Sequence, residues 1–264
     1  MNTRRWATAV AALAALSIGT AGCNSSKTPD GTPATTAPSP TPAVDAKTAL
    51  AKSALALAST SFKVSGDNVA SSIQASIDPA AKTMTSKITQ GDAGQQITVD
   101  VIAVTGDTYV KLGLGQLAQI LGIAAFDGKW LHVDPTKLKD PKDFGVSPVD
   151  PVDAVLLFGA IVSAESTGPG AYKGTFDLTK APKAGIVDED TVTDLADAAK
   201  AVPFEATVDS QGRLSSLTIK VPTSGKVTAQ TWKATFSDYG TPVTATKPTG
   251  AIETPANVYA VFNQ

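Results

Sequence analysis

The residue types best suited to nucleophilic, acid–base and metal chemistry are scarce in this chain, which has one cysteine, Cys23, and one histidine, His132. One cysteine excludes an intramolecular disulfide, and the two residues fall short of the three or four ligands of the usual zinc sites. His132 has no Gly-x-Ser-x-Gly motif beside it, so we expect an ordinary strand histidine. The net charge of -2 over 264 residues gives no electrostatic footprint for nucleic acid. We therefore expect no enzymatic activity, no cofactor, no metal site and no nucleic-acid partner.

Two further patterns imitate binding motifs. Residues 113–118, Gly-Leu-Gly-Gln-Leu-Ala, fit the dinucleotide-binding fingerprint. Tyr109 and Lys111 are expected to face outward on the preceding strand, whereas the first strand of a dinucleotide-binding fold is buried on both faces. The acidic run at 188–190 lacks the ligand periodicity of a calcium loop and fits a helix N-terminus, where carboxylates are stabilising. We interpret both patterns as structural.

The N-terminus has the layout of a signal peptide. Two arginines precede the uncharged, mainly apolar residues 6–22, a run that is short for a membrane-spanning helix. The run ends in Ala21 and Gly22 before Cys23, and it resembles the lipobox of bacterial lipoproteins. The resemblance implies cleavage before Cys23 and acylation of its sulfur and its new amine, although Thr20 stands where that motif usually has Leu, Val or Ile. Ordinary signal-peptide cleavage after Ala21 is the competing interpretation.

Composition divides the chain into three parts. Residues 1–22 are the expected lipoprotein signal peptide. Residues 23–45 carry the lipidated cysteine and a tether rich in Pro and Thr, which has too little apolar surface to offset its ordering entropy. Residues 46–264 are expected to fold as a single domain, because a chain of this length can bury a sizeable core.

The hydrophobic period of this domain changes after its first helix. Residues 46–58 have helical spacing, and beyond them apolar and polar residues alternate, with turn signals between the runs. Hairpin-length connections can join only antiparallel strands, so the pattern predicts a meander. Further helices are predicted at 114–122, 152–163 and 191–202. The predicted strands lie around residues 62–65, 73–77, 84–88, 97–103, 108–112, 129–134, 172–178, 204–208, 214–221 and 232–236.

These elements predict an α+β fold with one antiparallel sheet and a few helices. A sheet of about ten strands must curl or close. We therefore expect a strongly curved sheet whose concave apolar face is covered, at least in part, by the helices.

The order of these elements, the Asp-Gly-Lys-Trp turn at 127–130 and the Tyr-Gly-Thr-Pro-Val segment at 239–243 resemble the LppX/LprG-type lipoproteins of actinobacteria. The likeness covers most of the chain from about Ala46 onward. It implies a fold similar to the LolA and LolB carriers, with a curved half-barrel sheet closed by helices around a cavity for acyl chains. It also implies a role in lipid or glycolipid transport.

The expected cavity lining consists of inward strand residues, together with Leu117 and Leu121 of the helix at 114–122. Aromatic residues are only 6% of the chain and small residues recur on the apolar faces, so side-chain volume could fall short of the usual packing density of about 0.74. An ordinary filled core is the alternative. Glycines at both ends of that helix either permit a hinged lid or simply begin and end it. The inward strand residues are Phe62, Val64, Ile73, Ile77, Ile88, Val99, Val101, Val110, Leu112, Phe176, Leu217, Ile219, Trp232 and Phe236.

Two functions follow as hypotheses. The first is a lipoprotein anchored to the outer face of the cell membrane, which binds acyl chains in the cavity and carries them across the envelope to a transporter or acceptor protein. The second is a non-catalytic structural or interaction lipoprotein at the cell surface, with a filled core. An envelope hydrolase is a weaker third hypothesis, because no spacing singles out a pair of catalytic carboxylates.

Overall fold

The fold is that of a computed structural model, which describes residues 45–68, 71–91, 96–139, 144, 150, 152–182, 184 and 189–263. Cys23 and nearly all of the predicted tether lie outside the described residues. The described helices are short. They are α1 (Ala46–Leu57), α2 (Gln116–Ile120), α3 (Ala154–Gly159), α4 (Glu189–Leu195) and α5 (Ala256–Phe262), with 3-10 helices at Ala124–Phe126, Pro135–Lys137, Leu178–Lys180 and Ala196–Ala201.

Twelve strands form one sheet in the order β12-β6-β5-β4-β3-β2-β1-β11-β10-β9-β8-β7. Neighbouring strands are antiparallel, except that β12 and β6 are parallel. The predicted α+β class with one large antiparallel sheet is confirmed. The strands are β1 (Phe62–Asp67), β2 (Ser71–Asp78), β3 (Thr83–Gln90), β4 (Ile97–Val104), β5 (Asp107–Gly113), β6 (Trp130–Val133), β7 (Ile161–Gly168), β8 (Ala171–Phe176), β9 (Val202–Val208), β10 (Leu214–Val221), β11 (Gln230–Ser237) and β12 (Ile252–Glu253).

Short polar side chains fix the ends of several elements. Asp45 accepts a hydrogen bond from the backbone N–H of Thr48 at 3.1 Å, which satisfies a free donor at the start of α1. In the tight turn before β10, Asp209 accepts from the backbone N–H groups of Gln211 and Arg213, both at 2.9 Å. Gly212 in that turn has a φ of 77°, a conformation that favours glycine. The first helix lies where the sequence predicts it, and this turn falls in the gap between the strands predicted at 204–208 and 214–221.

The apolar side chains of the strands share one face of the sheet, and the helices pack on that face in two separate clusters. The larger cluster joins α1, α3 and α4 to β1, β2 and β8–β11. At its centre the rings of Phe176 and Phe204 stack, with their centroids 4.1 Å apart. The smaller cluster joins α2 and α5 to β4, β5 and β6. We call this the helix-bearing face and the opposite side the polar face.

The sheet is open, with β7 and β12 as its edges, and it is not strongly curled. The strong curvature expected from the number of strands is therefore corrected. The reason lies in the two clusters, which cover the two ends of the apolar face from above. Burial of that face consequently does not require the sheet to close on itself.

Two of the predicted helices differ from those observed in more than length. Residues 152–163 are helical only at Ala154–Gly159, and Ile161–Gly168 forms β7, because a short apolar run has no period that separates helix from strand. The helix predicted at 191–202 is α4 followed by the 3-10 helix Ala196–Ala201. The helix predicted at 114–122 is confirmed but shorter. No helix among the described residues is long and apolar enough to cross a bilayer.

Residues 239–251, the C-terminal strap, carry the chain from β11 across the polar face to β12. Near its start the backbone N–H of Gly240 donates to Ser61 O at 2.9 Å, beside β1. Further along, Lys247 Nζ lies 5.5 Å from the ring centre of Tyr109 on β5. Tyr109 is completely buried, although the alternation of β5 predicts an outward residue. The face was predicted correctly, but alternation carries no information about a distant segment that covers it.

Tyr239 fixes the beginning of the strap. Its hydroxyl donates to Leu214 O, the guanidinium of Arg213 lies 4.5 Å from its ring centre, and its ring centroid is 6.1 Å from that of Phe62. Burial raises the pKa of Tyr239, so the hydroxyl remains a neutral donor near neutral pH.

Replacing Tyr239 with Phe keeps the ring contacts but removes the donor to the buried Leu214 carbonyl. We expect the free energy of unfolding to fall by about 1–3 kcal/mol, measured by urea unfolding at pH 7. Tyr172→Phe is the matched control, because Tyr172 is also half-buried and its hydroxyl has no hydrogen-bond partner among the described residues. The free energy of unfolding of Tyr172→Phe should fall by no more than about 0.5 kcal/mol. Equal losses in the two variants would contradict the assignment.

Candidate functional site

Four half-buried apolar side chains form a row across the middle of the helix-bearing face. Strand pairing places Ile73 on β2 opposite Ile88 on β3, and Ile88 opposite Val99 on β4. Gly66 of β1 lies beside Ile73 and has no side chain, so Trp232 of β11 comes close to Ile73 there. A Cβ built on Gly66 would lie 3.0 Å from Ile73 Cγ2 and 3.6 Å from Trp232 Cζ2. We call Trp232, Ile73, Ile88 and Val99 the central strip.

The central strip runs from one helix cluster to the other: Trp232 packs against the larger cluster and Val99 against the smaller one, and only Ile73 and Ile88 belong to neither. β3 contributes no fully buried apolar side chain, and Thr83 is its only buried residue. Met84 is half-buried and packs against both clusters. The middle of a broad sheet is normally its best-covered part, because helices pack over it. Here the middle strands carry buried side chains, such as Ala75 and Val101, towards one end and half-buried isoleucine, valine and tryptophan side chains towards the other.

The predicted cavity residues separate into three groups. The strand members all share the helix-bearing face. Leu117 on α2 is exposed, and five others are half-buried: Ile73, Ile88, Val99, Leu121 and Trp232. The other ten are buried inside the clusters, where neighbouring side chains fill the space; they are Phe62, Val64, Ile77, Val101, Val110, Leu112, Phe176, Leu217, Ile219 and Phe236.

The short helix α2 presents a second apolar surface. Ala118 is buried in the smaller cluster, but Leu117 is 37% exposed and Ile120 is 80% exposed. Gly115 and Gly122 flank the helix with φ values of 54° and 70°, so both bends need glycine regardless of any hinge. Ile120 was not among the predicted residues. Its position in an apolar helical run favours a buried side chain, and only the short length of α2 leaves it in solvent.

His132 lies between two carboxylates on the polar face. Its Nε2 is 3.4 Å from Asp107 Oδ1, and its Nδ1 is 2.9 Å from Glu253 Oε1 on β12. The pKa of Lys247 on the strap is raised, mainly by its hydrogen bond with Tyr109. The negative charges of Asp107 and Glu253 raise it further. This arrangement fastens the end of the strap to the sheet. Among the residues described, no three His, Cys, Asp or Glu side chains are placed to hold a metal ion.

The two sequence patterns that imitate binding motifs lie at places where the fold itself explains their residues. Residues 113–118 run from the end of β5 into α2, and β5 is antiparallel to both β4 and β6. A dinucleotide-binding fold needs parallel strands joined by a crossover helix, so this motif lacks its context. Glu189 and Asp190 occupy the first turn of α4, as predicted, while Asp188 lies outside the described residues.

Alanine substitutions of two isoleucines on neighbouring strands should distinguish the filled clusters from the central strip. Ile77 is fully buried in the larger cluster, so Ile77→Ala should lower the free energy of unfolding by about 2–5 kcal/mol. Ile88 is half-buried on the same face, and Ile88→Ala should cost about 1 kcal/mol, since fewer methylenes leave a packed environment. Urea unfolding of both variants gives the comparison. Equal costs would mean that Ile88 is packed core.

No protein-family model matches this chain, and no curated protein matches it.

Proposed function

We propose that this chain is an exported lipoprotein, anchored through Cys23 to the outer face of the cell membrane, which binds acyl chains of lipids or glycolipids and carries them across the cell envelope. Its partners in this proposal are the lipid ligand, the membrane, and a transporter or acceptor protein of the envelope. The mechanism needs shape and apolar surface, with no catalytic group and no cofactor.

The central strip is the observation that supports acyl binding best. Trp232, Ile73, Ile88 and Val99 give a continuous apolar row. On β3 no apolar side chain is buried, and only the half-buried Met84 packs against the clusters. Each methylene that leaves water for such a surface contributes about 0.8 kcal/mol. An alkyl chain lying along the strip would therefore gain several kcal/mol without any polar contact.

The two clusters would form the walls of the binding groove, with the central strip as its floor. The resemblance of the sequence to LppX/LprG-type carriers supports this arrangement, although the sheet here is open and not strongly curled. In that arrangement the acyl chain covers the part of the apolar face that the short helices leave half-exposed. The exposed Leu117 and Ile120 on α2 would add apolar surface beside the smaller cluster.

A second candidate function is a structural or interaction lipoprotein with a filled core. Ten of the predicted cavity residues, such as Phe62 and Phe176, are packed inside the clusters, which favours this alternative for most of the helix-bearing face. The two functions differ in whether the central strip takes up lipid.

Acyl binding is tested with full-length protein carrying Cys23→Ala, so that the protein bears no acyl groups of its own. Native mass spectrometry and lipid extraction after expression in a lipid-rich host should recover acyl lipid. A fluorescent fatty acid then measures affinity. Adding Ile88→Glu places a charge on the strip, and we expect at least a tenfold loss of affinity, because a desolvated carboxylate is strongly disfavoured.

Thr89→Glu is the matched control for this experiment. Thr89 is the next residue of β3 and faces the polar side, so the same charge is added without touching the strip. Its affinity should stay within about twofold of the parent, as for a surface substitution. Recovery of no acyl lipid, or equal losses in the two variants, would reject the carrier function and favour the interaction lipoprotein.

Attachment through Cys23 has a separate test. In cells fed an alkyne-labelled palmitate, the wild-type chain should take up label and fractionate with membranes. Cys23→Ser should lose the label and appear in the soluble exported fraction, because the sequence offers no second cysteine for acylation. Label retained in Cys23→Ser, or an unlabelled wild type cleaved after Ala21, would contradict the anchor. Thr20→Leu should increase the processed fraction, because it places at this position a residue type that the lipobox usually has there.

A further inference from the structure

The polar face carries a groove of about 880 Å³ on the side of the sheet opposite the central strip. Its lining comes from β11, β1, β2, β3, β4, β5 and β6. Seven neighbouring strands have six spacings of about 4.8 Å, so the groove is about 29 Å long. The strap borders it, because Pro242 and Thr244 lie beside Lys63 and Thr85. The groove therefore suits an extended ligand rather than a compact one.

The lining combines hydroxyl, amide and ammonium groups with apolar surface such as that of Ile102 and Trp130. Ser65, Ser76, Thr85 and Gln74 present side chains that can donate and accept hydrogen bonds along the groove. Such groups match the hydroxyls of a sugar chain, whereas an alkyl chain would leave them without partners. The groove thus differs in kind from the central strip.

Lysines make the middle of this polar groove positive. Lys111 pairs with Asp100 at 3.0 Å. Lys87 lies opposite Asp100 in the strand pairing and is exposed, but it has no ion-pair partner among the described residues. Of the three lysines that line the groove, Lys87 is therefore the one without an ionic partner among the described residues, since Lys63 pairs with Asp238. An anionic group on the ligand would complement it.

Trp130 closes one end of the groove with a flat apolar surface. The indole is half-buried, and Lys111 Nζ lies 4.8 Å from its ring centre, which holds the ring in place. The exposed part of an indole can pack against the apolar C–H face of a sugar ring, as aromatic rings do with other apolar groups. Hydroxyl-matching groups, a free ammonium and an indole occur together along a single groove.

We propose that this groove binds an extended anionic glycan, with an acidic group of the glycan against Lys87 and a sugar ring against Trp130. The proposal is independent of acyl binding on the opposite face. It gives the polar face a ligand class that the carrier function does not require.

The test uses full-length Cys23→Ala protein and three probes: a galacturonate hexamer, the neutral maltohexaose and hexaglutamate, which is acidic but not a sugar. Calorimetry and NMR titration should show binding of the galacturonate hexamer, with shifts at the Trp130 indole N–H and at Gln74. Lys87→Gln should weaken this binding by about three- to fivefold, the value of an exposed charge contact, and added salt should weaken it too.

Lys233→Gln is the matched control, because Lys233 is an exposed lysine on the same face of β11 but does not line the groove. The Lys233→Gln variant should bind the galacturonate hexamer with the same affinity as the parent protein. Absence of galacturonate binding, equal affinity for hexaglutamate, or equal losses in the two lysine variants would overturn the proposal. The lysine variants are at exposed positions, so an unchanged melting temperature confirms that both remain folded.

Discussion

The structure depends on the burial of one very wide apolar sheet face by a few short helices. Twelve strands at about 4.8 Å spacing span about 53 Å, whereas helices of 5 to 12 residues are only about 8–18 Å long. Such helices cannot form a continuous second layer. They gather into two clusters instead, each packed well, as the stacked rings of Phe176 and Phe204 show. Ile73 and Ile88 in the central strip lie outside both clusters and stay half-exposed, and the lack of strong curvature has the same origin.

The sequence predicted the parts of the fold that local chemistry determines. The first helix, the meander and the Asp209 turn follow from periodicity, capping and turn residues, and these were found close to their predicted positions. β7 was missed because its residues are an apolar run followed by small polar residues without clear alternation. Tyr109 was placed on the correct face but is buried by the strap, which is 130 or so residues away in sequence. The division of the apolar face into filled clusters and an open strip depends on helix length and placement, which alternation does not encode.

The two faces of the sheet offer surfaces of opposite chemistry, and the chain connects them at its C-terminal end. The strap crosses the polar face, β12 adds to the edge at β6, and α5 then packs against the helix-bearing face. Tyr259 on α5 accepts a hydrogen bond from the backbone N–H of Asp134 at 2.7 Å, just beyond β6. His132 on β6 contacts Glu253 of β12 from the polar side. Residues 239–263 therefore combine contacts on the polar face and on the helix-bearing face. Their removal would disturb both faces of the sheet together.

The two edges of the sheet have a consequence for solubility. β12 pairs over two residues only, and β7 has register shifts between Ile161 and Ser163 and between Ser166 and Gly168. Lys47 on α1 also donates to the carbonyl of Val162 at 2.7 Å, which occupies a backbone acceptor of the edge strand. Long regular edges recruit strands from other molecules, whereas bulges, lysines and very short strands prevent this. Neither edge of this twelve-stranded sheet therefore offers a long, regular template for pairing with a strand of another molecule.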